Sequence, residues 1–137
     1  MVAKTSALII VLAAACAACG DVLPLEECSA RSNDAFSLGD LAIAHDELRV
    51  HVTTAGGCAS HSFSACWDGT ATKSDPPQVS ISLFHDADGD TCDGLLTFDL
   101  RVDVSRVRAN YRPPVVLHVS GATSQIAGTT NSVTLPP

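Results

Sequence analysis

The stretch Gly94-Leu-Leu-Thr-Phe-Asp-Leu-Arg-Val-Asp-Val104 decides the fold. From Leu96 onward, apolar side chains occupy every second position and polar side chains stand between them. Successive side chains of a β-strand point to opposite faces of a sheet, so this period of two predicts a strand with one buried face. The face that we expect to be buried carries Leu96, Phe98, Leu100, Val102 and Val104.

The same alternation recurs along most of the chain after residue 40. It predicts further strands over residues 41–45, 48–54, 61–67, 79–85, 115–120 and 132–135. Residues 105–114 are basic, end in proline and are expected to form a crossover between two strands. About seven strands with one apolar face each favour an all-β fold, an immunoglobulin-like β-sandwich. The alternative is a small β-barrel, which satisfies the same alternation.

Length and charge limit the function classes. The 137 residues suffice for one domain with a single core. The chain has 8 basic and 15 acidic residues, which gives a net charge of -7. Nucleic-acid binding needs clusters of Lys and Arg that face the phosphates, so the acidic balance argues against a nucleic-acid partner.

The first residues are typical of a bacterial export signal. Lys4 supplies a basic start, and residues 7–15 form an apolar run shorter than the about 20 residues that cross a bilayer. The following Cys16-Ala-Ala-Cys19-Gly-Asp21 resembles the lipobox of bacterial lipoproteins, whose cysteine is acylated after cleavage. We therefore expect three parts: a lipoprotein signal peptide over 1–18, a tether and N-terminal segment over 19–37, and the β-sandwich domain over 38–137.

Cysteine parity favours Cys19 over Cys16 as the lipidated residue. Acylation of Cys19 leaves four cysteines, an even set, whereas acylation of Cys16 leaves an odd thiol in an oxidising compartment. Gly20 follows Cys19, and the lipoprotein resemblance implies an outer-membrane protein when Asp is absent there. The expected partner is the membrane, to which an N-terminal lipid would attach the protein on either the periplasmic or the external side. Plain secretion after cleavage is the alternative.

Strand direction predicts which cysteines pair. If successive strands run in opposite directions, residues near 56–61 and 85–93 lie at one end of the sandwich, which would then hold Cys58 and Cys92. Cys66 lies about 16 Å along its strand from His61, at about 3.3 Å per residue. A disulfide permits at most about 7 Å between Cα atoms, so Cys66 should not reach that end. The predicted disulfides are therefore Cys58–Cys92 and Cys28–Cys66.

The histidines at that end raise a metal hypothesis. His61 and His85, with Asp86 or Asp88, offer the imidazole and carboxylate ligands that zinc and copper accept. The alternative is two histidines that are hydrogen-bonded to backbone or carboxylate groups, because no His-x-x-x-His or paired Cys-x-x-Cys motif reinforces the metal hypothesis. Zinc or copper apart, no cofactor is expected.

The sequence offers no signature of catalysis. Residues 86–93 place Asp at alternating positions as a calcium loop does, but Thr91 stands where Gly is required and Thr97 where Glu is required. Ser60 and Ser62 flank His61, but neighbouring side chains of a strand point to opposite faces, and the chain has no Gly-x-Ser-x-Gly elbow. We expect neither calcium binding nor an enzyme.

A longer pattern joins these residues. Gly56-Gly-Cys58, His61, Phe63 and Trp67, followed by His85 and Cys92, resemble a pattern of small, uncharacterised bacterial predicted lipoproteins. The resemblance implies that the cysteine pair and the histidine pair belong together, and it brings no known activity. The sequence thus favours a lipid-anchored cell-envelope β-sandwich that acts as a non-catalytic binding or structural module. The alternative is a metal-binding envelope protein that uses His61 and His85.

Overall fold

A computed structural model describes residues 21–121 and 131–137. The predicted signal peptide and both candidate lipidation sites, Cys16 and Cys19, lie outside these ranges. The described residues form nine β-strands and a short α-helix: β1 (Val22–Leu23), β2 (Leu25–Glu26), β3 (Ser37–Ala44), β4 (Glu47–Gly56), β5 (Ser62–Cys66), β6 (Gln78–Asp86), β7 (Gly94–Asp103), α1 (Ser105–Asn110), β8 (Val115–Ser120) and β9 (Ser132–Leu135). Within the described ranges, no helix combines the length and apolar character needed to cross a membrane.

The strands form two sheets that pack as a β-sandwich, which confirms the predicted fold class. One sheet has the strand order β1-β7-β4-β3 and the other the order β2-β5-β6-β8-β9. Because the described strands divide between two separate sheets, they do not form the small barrel that was the alternative. The sandwich has more strands than the about seven expected, since β1 and β2 have two residues each and are too short to show an alternation.

Strand direction follows the sequence-based expectation that successive strands run in opposite directions. The pairs β3–β4 and β5–β6 are antiparallel, and the parallel pairs β1–β7, β2–β5 and β6–β8 join strands that are not successive in the chain. The third parallel pair has a simple origin. Strand β7 lies in the four-stranded sheet, and the chain then crosses through α1 to the other sheet, where β8 lies beside β6 in the same direction.

The core consists of the inward faces that the alternation predicts. Burial of each large aliphatic side chain contributes about 1.5–3 kcal/mol, so these faces drive the two sheets together. On β7, Phe98 and Leu100 are partly buried against the same core. The strand residues from both sheets that are at most 1% exposed include Leu48, Val50, Val52, Val79, Ile81, Leu83, Val102 and Leu117.

Helix α1 occupies the segment for which only a crossover was predicted. It is six residues long and buries Val107 alone, so no apolar stripe of helical period marks it in the sequence. Tertiary contacts hold it in place. The Arg106 guanidinium lies 5.4 Å from the centre of the Trp67 ring and donates a hydrogen bond of 2.6 Å to the Leu25 carbonyl.

The N-terminal segment contributes one short strand to each sheet, β1 beside β7 and β2 beside β5. The backbone N–H of Trp67 donates to the Glu26 carbonyl at 2.9 Å. The Cys28–Cys66 disulfide is present, with 4.9 Å between the Cα atoms, as predicted. Alternation along β5 turns Cys66 to the opposite face from Ala65, and yet Cys66 is only 1% exposed, because this segment pairs with β5 and is bonded to Cys66.

Candidate functional site

Two loops meet at one end of the sandwich, which we call the rim, residues 57–61 and 87–93. The first loop follows Gly56 of β4, and the second precedes Gly94 of β7, and these two glycines are register partners. Both loops pass from one sheet to the other. The predicted Cys58–Cys92 disulfide joins them, with 5.8 Å between the Cα atoms. The rim is therefore a covalent and hydrogen-bonded link between the sheets.

Asp90 is the central side chain of the rim. Its Oδ2 accepts backbone N–H bonds from three consecutive residues, Gly57 at 2.8 Å and Cys58 and Ala59 at 3.1 Å each. Its Oδ1 accepts the Cys92 N–H at 3.0 Å. Successive N–H groups that converge in this way form an anion-binding nest, and here the anion is a carboxylate of the same chain.

A buried chain of hydrogen bonds runs inward from Asp90. Asp90 Oδ2 lies 2.8 Å from His61 Nε2, and His61 Nδ1 lies 2.8 Å from His85 Nε2. His85 Nδ1 lies 3.3 Å from the Asp34 carbonyl. The side chains of Asp90 and His61 are 0% and 1% exposed, and His85 is 1% exposed. We call this arrangement the Asp–His–His chain.

The charge of Asp90 follows from these contacts. The hydrogen bond from His61, and after it the Cys92 N–H, hold the pKa of Asp90 well below its usual range, against the effect of burial. Asp90 is therefore a carboxylate, which accepts hydrogen bonds and donates none.

Counting hydrogens fixes which atoms donate in this chain. The Asp90 carboxylate only accepts, so His61 Nε2, which faces it, carries a hydrogen and donates it. The contact between His61 Nδ1 and His85 Nε2 needs a hydrogen on one of these two nitrogens.

Aromatic rings enclose the Asp–His–His chain. The Phe63 ring stacks on His85 with 4.5 Å between centroids and 11° between planes. Phe36 meets His85 edge-on at 5.8 Å, and Phe98 lies 5.9 Å from His61. An environment of this kind excludes water and strengthens the hydrogen bonds inside it.

The structure brings together only part of the residues predicted for a metal site. His61 and His85 are in contact, as the sequence hypothesis requires. Asp86 and Asp88 instead form a turn, in which the Asp88 N–H donates to Asp86 Oδ1 at 2.9 Å. Asp90 takes the place expected of them.

The histidine geometry is that of a hydrogen bond. Two nitrogens on one tetrahedral zinc ion stand about 3.3 Å apart, given Zn–N bonds of about 2.0–2.1 Å. His61 Nδ1 and His85 Nε2 are closer than that, at 2.8 Å. Metal binding by both rings would require them to separate, and it stays a prediction.

The comparisons with known proteins agree on the fold. No known family matches the chain, and no curated protein does. A NigD-like immunity protein from Bacteroides caccae shares 16% identity and a TM-score of 0.57, over 83% of this chain and 58% of its own. A putative toxin-related protein from Parabacteroides distasonis has 13% sequence identity and a TM-score of 0.50, and the match covers 83% of this chain and 60% of that protein. A protein of unknown function from Bacteroides vulgatus has 9% sequence identity and a TM-score of 0.51, and the match covers 77% of this chain and 49% of that protein.

At these identities the likeness shows the fold alone. This chain spans between 49% and 60% of the length of those three proteins. Their described roles are immunity, a relation to toxins and an unknown function.

Proposed function

We propose that this protein is a lipid-anchored cell-envelope β-sandwich that acts as a binding or structural module without catalysis of its own. One observation supports the absence of catalysis most directly. The Asp–His–His chain is enclosed, and each of its ring nitrogens already has a hydrogen-bond partner. A catalytic histidine needs a nitrogen that reaches the substrate, so this chain is better suited to holding two loops together.

Two observations support the envelope location. The described chain contains two disulfides, which form and persist in oxidising compartments. The sequence before it resembles a lipoprotein leader with Cys19 as the acylated residue.

The outer face of the four-stranded sheet is the proposed binding surface. Polar and charged side chains pair across β4 and β7: His51 Nδ1 lies 2.8 Å from Asp99 Oδ1, and Arg101 donates to Glu47 at 2.7 Å. Arg49, at 60% side-chain exposure, also contacts Glu47. Such a polar face fits the surface of another folded protein better than it fits an apolar ligand.

Palmitate labelling tests the anchor. The full-length protein, expressed in a bacterial host with labelled palmitate, should carry the label and sediment with outer membranes. Cys19→Ser should abolish labelling, and Cys16→Ser should not. Soluble, unlabelled wild-type protein would contradict the anchor, and loss of label only in Cys16→Ser would move it to the other cysteine.

A charge reversal tests the binding surface. Arg49→Glu should abolish cross-linking to a partner that wild-type protein captures in envelope extracts. Lys73→Glu serves as the control, because Lys73 is exposed in the loop between β5 and β6 of the other sheet. Identical sets of cross-linked proteins for wild type and Arg49→Glu would contradict binding through this face.

The alternative function is zinc or copper binding at His61 and His85, which the convergence of the two rings supports. Elemental analysis of the oxidised protein decides it. Stoichiometric metal that is lost in both His61→Ala and His85→Ala would establish the alternative. Metal-free wild-type protein would reject it.

A further inference from the structure

The rim contains a second set of metal-ligand atoms that the histidine hypothesis does not use. The sulfurs of Cys58 and Cys92 and a carboxylate oxygen of Asp90 all lie within 4.8 Å of one another. Among the described residues, no other set of three or more His, Cys, Asp or Glu offers one ligand atom each with all of those atoms within 4.8 Å of one another. In the oxidised protein the two sulfurs are bonded to each other.

We propose that reduction of the Cys58–Cys92 disulfide creates a zinc site made of these two thiolates and Asp90. A dithiol reductant supplies two electrons and two protons, which convert the disulfide into two thiols while the dithiol becomes a disulfide. Zinc then displaces both thiol protons, because the thiolate is the ligand form of cysteine. Sulfur ligands of this kind select zinc over harder cations.

The backbone already has the spacing that such a site needs. Zn–S bonds of about 2.3 Å place two thiolates on one tetrahedral ion about 3.8 Å apart. Residues 58 and 92 have their Cα atoms 5.8 Å apart, so rotation of the two side chains achieves that spacing without movement of the loops. Cys58 is exposed and Cys92 is partly exposed, so a reductant and the ion can reach the pair.

Asp90 is a positioned third ligand. Four donors converge on its Oδ2, whereas Oδ1 accepts a single bond from the Cys92 N–H and keeps a lone pair for the metal. A water molecule would complete a tetrahedral site.

Thiol alkylation of the reduced wild-type protein tests this site without any mutation. The protein is reduced, the reductant is removed, and iodoacetamide is added with and without one equivalent of zinc. Peptide mass spectrometry then follows each cysteine. We expect zinc to slow alkylation of Cys58 and Cys92 by at least about tenfold, because a metal-bound thiolate is a poor nucleophile. Cys28 and Cys66 serve as internal controls and should react at the same rate with and without zinc.

Equal rates with and without zinc at Cys58 and Cys92, or protection of the other pair, would overturn the proposal. Cobalt(II) gives a second readout. The Cys28→Ser/Cys66→Ser variant, once reduced, should bind one equivalent with sulfur-to-cobalt charge-transfer absorption, and Asp90→Asn should weaken that binding. The oxidised protein should show no such band. This separates the site from a metal at His61 and His85, which would not depend on reduction.

Discussion

Gly56 is a position at which the rim cannot accommodate a side chain. A Cβ atom at this position would lie 2.6 Å from His61 Nε2 and 2.7 Å from Asp90 Oδ2. Both atoms are fixed by hydrogen bonds and cannot move aside without loss of those bonds. We expect Gly56→Ala to lower the free energy of unfolding by about 1–3 kcal/mol, the range for overpacking. Urea unfolding measures this loss.

The neighbouring Ala55 provides the control for Gly56. It is exposed on the other face of the same strand, so Ala55→Ser should leave the urea midpoint unchanged. Equal midpoints for Gly56→Ala and the wild type would show that the rim relaxes, and that the close approach of His61 and Asp90 is not a constraint.

Acid should weaken the protein through Asp90. The folded state holds the pKa of this carboxyl below its usual range, so the unfolded chain binds more protons as pH falls. The stabilising contribution is therefore complete above about pH 5 and declines progressively as the pH falls further. We expect the urea midpoint of the wild type to fall between about pH 5 and pH 2. The Asp90→Asn variant should start lower and fall less over the same range.

Glu47 is the matched control for this acid dependence. The hydrogen bond with Arg101 is the largest cause that lowers the pKa of Glu47 to about 2. Glu47 therefore also contributes stability that is lost as the pH falls. It lies on the outer face of the sheet, where solvent screens its contacts. Glu47→Gln should therefore remove less of the acid dependence than Asp90→Asn. The reverse order would place the acid-sensitive group outside the rim.

At the scale of elements, the two disulfides can be compared with each other. The paired cysteines are 38 residues apart in Cys28–Cys66 and 34 in Cys58–Cys92, so the chain-entropy terms are almost equal, at about 3–4 kcal/mol each. Removal of the rim disulfide should also loosen the three N–H groups that hold Asp90. We therefore expect the Cys58→Ala/Cys92→Ala variant to unfold at a lower urea concentration than Cys28→Ala/Cys66→Ala.

Hydrogen exchange locates the two effects. Loss of Cys28–Cys66 should speed amide exchange in β2 and around Trp67, because the backbone N–H of Trp67 donates to the Glu26 carbonyl. Loss of Cys58–Cys92 should speed exchange at residues 57–59. If both variants speed exchange in the same residues, the disulfides act on the unfolded chain alone.

The elements that could be predicted from the sequence are those with a repeating pattern. Strands β4, β6 and β7 have nine or ten residues, and their burial alternates as their sequence does. Strands β1 and β2 pair through two residues each, and α1 buries one side chain, so their signals are tertiary contacts. The position of Cys66 could be derived from strand length, but its burial depends on the N-terminal segment.

The rim could be predicted in outline for the same reason. Alternation and strand direction placed Cys58, Cys92, His61 and His85 at one end, and the structure has them there. The identity of the carboxylate that accepts the rim hydrogen bonds could not be derived in this way. Three aspartates stand at alternating positions in the loop, and only the fold of the loop decides that Asp90 enters the nest while Asp86 and Asp88 form a turn.

At the scale of the whole molecule, the two sheets should unfold together. The core is one cluster to which both sheets contribute, and the rim joins them at one end by a disulfide and by the Asp–His–His chain. The single tryptophan, Trp67, is 1% exposed near the other end of β5 and next to α1. Its fluorescence therefore reports on a region about 16 Å from the start of that strand, at about 3.3 Å per residue.

We expect two probes of urea unfolding to report a single transition. Trp67 fluorescence and far-ultraviolet circular dichroism should give the same urea midpoint in the oxidised protein, since a single core leaves no part able to stay folded alone. With the rim disulfide removed in Cys58→Ala/Cys92→Ala, the common midpoint should fall and the two curves should still coincide, because the shared core remains. Separation of the curves in the wild type would mean that the sheets are independent units and that their packing contributes less than the burial of their inner faces implies.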